Sequence, residues 1–123
     1  MVRKGFESKY KKTHNLEYRL SEAAKVRDKN PDRIPIICEK VDGSGIGDLE
    51  RGKFLVPSDL TVGQFVLVLR KRVTVEADEA IFLFVNGAVP PTTAQMSDLY
   101  AQHKDEDGFL YIKYSGEATF GSR

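Results

Sequence analysis

The chain of 123 residues has few side chains of the kinds that enzymes and metal proteins depend on, with one cysteine and two histidines. Because Cys38 is alone, no internal disulfide can form and a thiolate metal site is not expected. We interpret Cys38 as a buried small hydrophobe, since it lies in an apolar run, and His14 and His103 as surface or helix-end residues. Without a glycine-rich phosphate loop or paired carboxylates, the sequence predicts no enzyme and no metal or cofactor.

Long hydrophobic runs are also missing. No apolar run approaches the roughly 18 residues that a membrane span needs, and the start has no apolar signal-peptide region. The hydrophobic content of 41% and the charged content of 30% are typical of one soluble globular domain. We therefore expect a cytoplasmic, single-domain protein, and a monomer.

Charge is unevenly distributed, although the net charge is only +1. Residues 1–33 carry ten lysines and arginines against five acidic residues, whereas the remainder carries nine against thirteen. This basic arm indicates a contact with a membrane, a microtubule or a protein, while a solvated helix face is the plainer alternative. We expect residues 1–12 to pack loosely and to add little to core stability. No aromatic residues alternate with the cations, so nucleic acid is not a predicted partner.

The central stretch, residues 53–72, has the clearest local pattern. Residues 53–56 are predicted to form a strand, which Pro57 ends. Thr61 and Gln64 have the spacing of a capping box, in which the two side chains satisfy helix-start donors reciprocally. A helix follows, with core positions every three or four residues. These positions are Val62, Phe65, Val66 and Leu69.

Two helices and a strand are predicted before this stretch. A short helix covers residues 6–13, and an amphipathic helix runs from Leu16 to the Asn30-Pro31 stop. The shared face of this second helix comprises Leu16, Leu20, Ala23, Ala24 and Arg27. Residues 34–38 are predicted to form a strand that sends Ile34, Ile36 and Cys38 to one face. Pro35 indicates an edge position there, or at least a missing ladder bond.

Two strands and a helix are predicted after the central stretch. Residues 80–85 are apolar on both faces, which is typical of an interior strand, and Asn86-Gly87 is a tight-turn signal. Thr92 or Thr93 would cap a short core helix. The core residues of that helix are Met96, Leu99, Tyr100 and His103. Residues 104–108 are interpreted as a solvated loop rather than a calcium site, because the alternating ligand spacing is absent.

The predicted fold is α+β: a ubiquitin-like β-grasp whose four-stranded mixed sheet carries a crossing helix and follows two N-terminal helices. Residues 109–114 supply the last strand. Within one domain, residues 1–30 form a helical extension packed on the core, residues 31–114 form the β-grasp core, and residues 115–123 form a flexible tail.

Several stretches carry a family resemblance, among them Asn30-Pro31-Asp32-Arg33-Ile34-Pro35, Ile46-Gly47-Asp48-Leu49, residues 53–57, residues 59–65, Arg70-Lys71-Arg72, Pro90-Pro91-Thr92, Phe109-Leu110-Tyr111 and residues 114–121. From about Lys9 to Gly121 the chain resembles the GABARAP/light-chain-three family of ubiquitin-like autophagy modifiers. The resemblance implies a β-grasp with two added helices, C-terminal processing, conjugation to phosphatidylethanolamine, and capture of short linear motifs on cargo receptors. Gly108 departs from the family, which often has a bulky residue there, and would widen one pocket.

The strand at 53–56 is predicted to be an exposed edge that can accept an extended peptide as a further strand. Alternation then supplies two flanking pockets, which match the family's pockets for an aromatic and an aliphatic side chain. The first comprises Lys53 and Leu55 with Glu22, Val26, Pro35, Ile37 and Phe109. The second comprises Phe54 and Val56 with Pro57, Leu60, Phe65 and Val68, while Arg33 and Arg72 would hold acidic groups of the ligand. The alternative is that these apolar residues are simply core.

The tail resembles the family's processing site, which implies cleavage between Gly121 and Ser122, next to Phe120, and lipid conjugation through Gly121. Glycine has no side chain to obstruct a protease cleft or a thioester exchange. The implied partners are a processing cysteine protease, activating and conjugating enzymes, cargo receptors with aromatic-x-x-aliphatic motifs, and a phosphatidylethanolamine membrane after conjugation. The implied location is the cytoplasm and, once lipidated, the autophagosome membrane. An unconjugated β-grasp adaptor in signalling or trafficking is the alternative function.

Overall fold

Four helices and four strands make up the described part of the chain, residues 6–118 of a computed structural model. In chain order they are α1 Lys9–Thr13, α2 Leu16–Lys29, β1 Arg33–Lys40, β2 Lys53–Pro57, α3 Val62–Arg72, β3 Phe82–Phe84, α4 Met96–His103 and β4 Leu110–Ser115. The strands form one sheet in the order β2-β1-β4-β3. Strand β1 is antiparallel to β2 and parallel to β4, and β3 is antiparallel to β4. This mixed sheet confirms the predicted ubiquitin-like β-grasp.

The sheet separates two apolar clusters, as the predicted alternation along β1 requires. Ile34, Ile36 and Cys38 belong to the main core with Phe65 and Leu69 of α3. Ile37 lies in the smaller cluster, together with Ala23 of α2 and Phe109. Helix α3 therefore packs on one face of the sheet and the N-terminal helices on the other. Burial raises the pKa of the Cys38 thiol, as expected for a small hydrophobe in the core.

The local signals around α3 and the tight turn are confirmed. The Thr61 hydroxyl accepts from the Gln64 N–H at 3.2 Å, and the Gln64 side chain accepts from the Thr61 N–H at 2.9 Å. Asn86 and Gly87 both have positive φ, at 51° and 80°, as a two-residue hairpin turn needs.

The edge position predicted for β1 and the interior position predicted for β3 are wrong, whereas the alternative for Pro35, a missing ladder bond, is confirmed. Strand β1 is interior, and its pairing with β4 begins only at Ile36, so Pro35 makes no ladder bond to that neighbour. Strand β3 is at the edge of the sheet, although it is apolar on both faces. Its second face is covered by the N-terminal segment, where the Phe6 ring packs edge-on against Phe84 at 5.4 Å. Apolar residues on both faces therefore reflect cover by other elements rather than position in the sheet.

The prediction that residues 1–12 pack loosely is wrong for the part that is described. Besides the Phe6 contact, the Lys113 Nζ donates to the Glu7 carbonyl at 2.7 Å. The backbone N–H of Tyr10 donates to Glu39 Oε2 at 2.9 Å. Residues 6–10 are thus attached to β1 and β4, and their deletion would expose both apolar and polar groups.

The shared face predicted for α2 overlaps only at Ala23 with the face that the sheet buries. Leu16, Leu20 and Ala24 are exposed, Leu20 at 43%, whereas Arg19 and Ala23 are buried. The reason is an ion pair, with Arg19 Nε 2.9 Å from Asp107 Oδ2, which turns the Arg19 side of the helix toward the sheet. Asp107 is 1% exposed, so the interpretation of residues 104–108 as a solvated loop is wrong at this position.

The predicted cap of α4 is also wrong. Gln95, rather than Thr92 or Thr93, is the N-cap, and it makes no side-chain capping bond. Backbone bonds from the loop before α3 hold this helix start instead, with the Met96 N–H 2.8 Å from the Leu60 carbonyl. A tertiary contact therefore replaces the local cap.

Candidate functional site

The free edge of β2 is the feature around which the candidate site is built. Strand β2 pairs only with β1 among the described strands. The Cys38 N–H donates to the Gly52 carbonyl at 2.7 Å, so the alternation makes Pro35 and Leu55, opposite each other, a non-hydrogen-bonded pair. The N–H and C=O of Leu55 consequently point away from β1, toward the free edge. An extended peptide can bond to groups of this kind as an additional strand.

The first predicted pocket lies between β2 and α2, and the structure brings most of its residues together. Ile37 and Phe109 are buried beside Ala23 and form its apolar floor. At its rim, the Lys53 Nζ is 3.7 Å from Glu22 Oε1. A cavity of about 320 Å³ adjoins the pocket on the side of α1 and shares only Ile37 and Lys53 with the predicted set. Val26 and Leu55 are half-buried, while Pro35 is buried in β1.

Tyr10 is a residue of this pocket that the sequence did not indicate. Its ring lies edge-on to Phe109 at 5.7 Å and stacked on His14 at 4.4 Å, and it lines the same cavity. The Lys53 Nζ lies over it, 5.2 Å from the ring centroid. The sequence predicted only a short helix over residues 6–13, and nothing local showed that this helix would bring Tyr10 close to Lys53 of β2.

A buried polar network holds the floor of the first pocket. Asp107 accepts from Arg19 and from the Tyr111 hydroxyl, the latter at 2.5 Å, and its other oxygen accepts from the Phe109 N–H at 2.8 Å. The three donors compensate for the desolvation of the carboxylate. Burial and the nearby carboxylate raise the pKa of Tyr111, so its hydroxyl stays protonated and donates. The network therefore fixes Phe109 relative to α2.

Gly108 lets α2 and the last strand approach closely. Its φ is +96°, and a Cβ built at this position would lie 2.9 Å from the Cβ of Ala23. A larger residue would clash with Ala23 and push α2 away from the sheet. Whether Gly108 also widens the pocket, as the sequence predicts, stays a prediction.

The second predicted pocket lies between β2 and α3 and is made almost wholly of apolar side chains. The rings of Phe54 and Phe65 pack edge-on at 5.2 Å. Phe65 and Val56 are buried and form the floor, whereas Phe54, Leu60 and Val68 are half-buried at the surface and Pro57 is exposed. The Arg72 guanidinium lies 5.5 Å from the Phe54 ring centroid. The alternative that all these residues are core is thus correct for the floor residues only.

Cations border the free edge along its length. Arg33, Lys53 and Arg72 are all exposed, and the Arg33 guanidinium donates to the outward Leu55 carbonyl at 3.4 Å. A positively charged rim of this kind favours a ligand that carries carboxylates. The rim and the two pockets together can therefore select an acidic, extended peptide with two apolar side chains.

The residues predicted for processing and conjugation, Phe120, Gly121 and Ser122, lie outside the described residues. The described chain shows how the segment leading to them begins. The Ser115 hydroxyl is 3.2 Å from that of Ser44 and accepts from the Glu117 N–H at 3.0 Å. Within residues 6–118, no helix has the length and apolar character needed to cross a membrane.

The fold and the groove together define a ubiquitin-like protein whose edge strand is open to a peptide. Comparisons with known proteins identify the family. The model described as "Autophagy protein Atg8 ubiquitin like" matches residues 18–121. The chain belongs to this Atg8 family of ubiquitin-like autophagy proteins, which includes the light-chain-three and GABARAP proteins that its motifs resemble.

Relatives match over nearly their whole length. Autophagy-related protein 8 of Aspergillus niger and that of Gibberella zeae are each 58% identical over 114 residues, which covers 93% of this chain and 97% of theirs. The crystal structure of Trypanosoma brucei ATG8 is 67% identical, covers 94% of this chain and 99% of its own, and has a TM-score of 0.87. Plasmodium falciparum Atg8, solved in complex with a P. falciparum Atg3 peptide, is 37% identical, covers 91% and 98%, and has a TM-score of 0.80.

Proposed function

We propose that this protein is an autophagy modifier that is cleaved after Gly121, conjugated through Gly121 to phosphatidylethanolamine, and used on autophagosomal membranes to recruit cargo receptors. A dedicated cysteine protease would release Ser122-Arg123. Activating and conjugating enzymes would carry Gly121 as a thioester and transfer it to the lipid amine. The observation that carries the proposal is the open β2 edge with its two pockets and basic rim, in a member of the Atg8 family.

The position of Gly121 supports the conjugation step. The family match ends at residue 121, which leaves Ser122-Arg123 beyond it. A terminal glycine suits a thioester and an amide bond because no side chain obstructs either enzyme cleft. The lipid chains would contribute about 0.8 kcal/mol of membrane affinity per buried methylene, which holds a domain on a bilayer without a spanning helix.

A relative supports the interaction with conjugating enzymes. The Plasmodium falciparum Atg8 structure is a complex with an Atg3 peptide. We propose that the groove along β2 of this chain takes the corresponding enzyme and, separately, cargo receptors with aromatic-x-x-aliphatic motifs. The aromatic side chain would enter the pocket beside Tyr10 and Phe109, and the aliphatic one the pocket beside Phe54 and Leu60.

Conjugation can be tested with purified activating and conjugating enzymes and vesicles that contain phosphatidylethanolamine. The full chain should be lipidated only after the protease acts, whereas a chain that ends at Gly121 should be lipidated without it. Gly121→Ala should block both cleavage and lipidation, measured by mass spectrometry of the C-terminus. If the chain that ends at Gly121 never acquires lipid, the unconjugated adaptor function replaces this proposal.

The groove can be tested by peptide binding, measured by calorimetry. Phe54→Ala combined with Leu55→Ala should weaken binding of an acidic aromatic-x-x-aliphatic peptide by at least tenfold while the fold, followed by circular dichroism, persists. Leu67→Ala is the matched control, because Leu67 is a 60% exposed apolar residue of α3. A folded double variant with unchanged affinity would show that the peptide binds elsewhere.

A further inference from the structure

The last strand ends inside the fold, against the loop that joins β1 to β2. Ser115, the final residue of β4, is fully buried, and Ser44 of that loop is only 8% exposed. Their hydroxyl oxygens are 3.2 Å apart, although the two serines are 71 positions apart in the chain. The β1–β2 loop therefore lies against the point where the C-terminal segment begins.

The same two hydroxyls bind the backbone that follows β4. The Gly116 N–H donates to Ser44 Oγ at 3.4 Å. The Glu117 N–H donates to Ser115 Oγ at 3.0 Å. The first two N–H groups after the strand thus have side-chain acceptors in place of ladder partners, so the chain is held for two residues beyond the sheet.

Gly116 is also enclosed by its neighbours. A Cβ built on it would lie 3.6 Å from the Cβ of Ile46 and 3.9 Å from the Ala80 carbonyl oxygen. Ile46 is itself buried in the main core, and its N–H donates to Ser44 Oγ at 3.4 Å. The Ser44 hydroxyl therefore joins the core, the loop and the start of the tail at one point, and the chain leaves the fold at Gly116.

The point of departure limits how far the tail can reach. Gly121 is five residues after Gly116. An extended chain covers at most about 3.5 Å per residue, so Gly121 cannot lie further than about 17 Å from Gly116. Release of one residue at the base would add about 3.5 Å to that distance and would free the direction of the tail.

We propose that Ser44 is a positioning residue for C-terminal processing. Its hydroxyl holds Gly116, and so sets the direction and the reach with which the tail presents the Gly121–Ser122 bond to the protease. This inference rests on the proposed cleavage after Gly121. A protease cleft takes an extended segment, and a base that is already ordered lowers the entropy lost when the segment binds. Ser44 acts through Gly116 and lies well before the bond that is cut.

The proposal predicts a change in the KM for cleavage of the full chain, followed by mass spectrometry. Ser44→Ala removes the acceptor of the Gly116 N–H, so KM should rise about 3- to 10-fold while kcat stays the same, because the bound tail is unchanged. Hydrogen exchange at the Gly116 amide should become faster. Ser44→Thr keeps the oxygen and should keep KM close to the wild-type value. Ser21→Ala, which removes an exposed hydroxyl of α2, is the matched control and should change neither constant.

A deletion in the tail separates reach from stability. Removal of Ala118 shortens the tail by one residue, about 3.5 Å, and should slow cleavage. In this shortened chain Ser44→Ala should speed cleavage, because the freed Gly116 restores the lost length. A hydroxyl that only stabilised the fold would slow cleavage in both backgrounds. Ser115→Ala, which removes the other hydroxyl, is a second variant for the same comparison, and the melting temperature of each variant shows that it is folded.

Two results would overturn the proposal and leave the proposed processing intact. One is an equal KM for the wild-type protein and folded Ser44→Ala. The other is a Ser44→Ala substitution that slows the shortened chain as much as the full chain, which would assign its effect to general stability. A wild-type protein that the protease does not cleave after Gly121 would remove the proposed processing itself, and this inference with it.

Discussion

The two sides of β2 are built differently. On the α3 side, Phe54 packs on Phe65 within a continuous apolar core. On the α2 side, a small apolar cluster is surrounded by a buried ion pair, two tyrosine hydroxyls and a lysine–glutamate pair. The first side is held by burial of apolar area, which acts without direction, whereas the second depends on atoms in fixed positions. We therefore expect the α3 side to supply most of the stability and the α2 side, in the proposed function, to supply the selectivity.

The largest expected loss of stability comes from a substitution on the α3 side of β2. Phe65→Ala should destabilise the protein by about 3–5 kcal/mol, because Phe65 is fully buried and a cavity would remain. Urea unfolding followed by circular dichroism measures the loss. Both sides of β2 should unfold together, since the core supports the whole sheet. A loss under about 1 kcal/mol would show that α3 is not the main source of stability.

A somewhat smaller effect is expected from breaking the polar network. Arg19→Met should cost about 3 kcal/mol, since it leaves Asp107 buried without its cation. Hydrogen exchange in Arg19→Met should show faster opening of α2 than of α3. In Phe65→Ala the two helices should open at similar rates. The matched control is Arg19→Met combined with Asp107→Asn, which removes both charges while its amide oxygen can still accept from the Phe109 N–H, and should recover part of the loss. No recovery in the double variant would mean that the pair is not the interaction that matters.

The smallest expected effect on stability concerns Glu22, at the rim of the first pocket on the α2 side. Glu22→Gln should change the free energy of unfolding by less than about 0.5 kcal/mol, because its contacts with Lys25 and Lys53 are long and partly exposed. Binding of an acidic peptide should strengthen, since a carboxylate beside the pocket is removed, and the gain should fade as salt rises. A salt-independent change in affinity would contradict this electrostatic account.

The sequence predicted the α3 side of β2 well, because the signals for this side are local. The capping box at Thr61 and the repeat of apolar residues in α3 lie within a few positions of one another, and the structure has both. The alternation along β1 and β2 likewise needs only neighbouring residues, and it placed Ile37, Lys53 and Phe54 correctly.

The other side could not be predicted in this way because its contacts join distant parts of the chain. Arg19 and Asp107 are separated by 88 positions, and the apolar periodicity of α2 favoured its exposed leucines instead. The edge position of β3 depends on strand order, which no local pattern carries. Tyr10 becomes a pocket residue only because Glu39 and Lys113 hold α1 against the sheet.

The open edge of β2 also bears on how copies of the protein meet one another. A free strand edge is a template for pairing with a second copy, and such pairing leads to aggregation. Here the strand has only five residues and ends at Pro57, which has no N–H to offer. Two copies that paired along this edge would bring Arg33, Lys53 and Arg72 of one against the same cations of the other. The rim that favours acidic peptides therefore also opposes self-association, and a single charge pattern keeps the edge free for other chains.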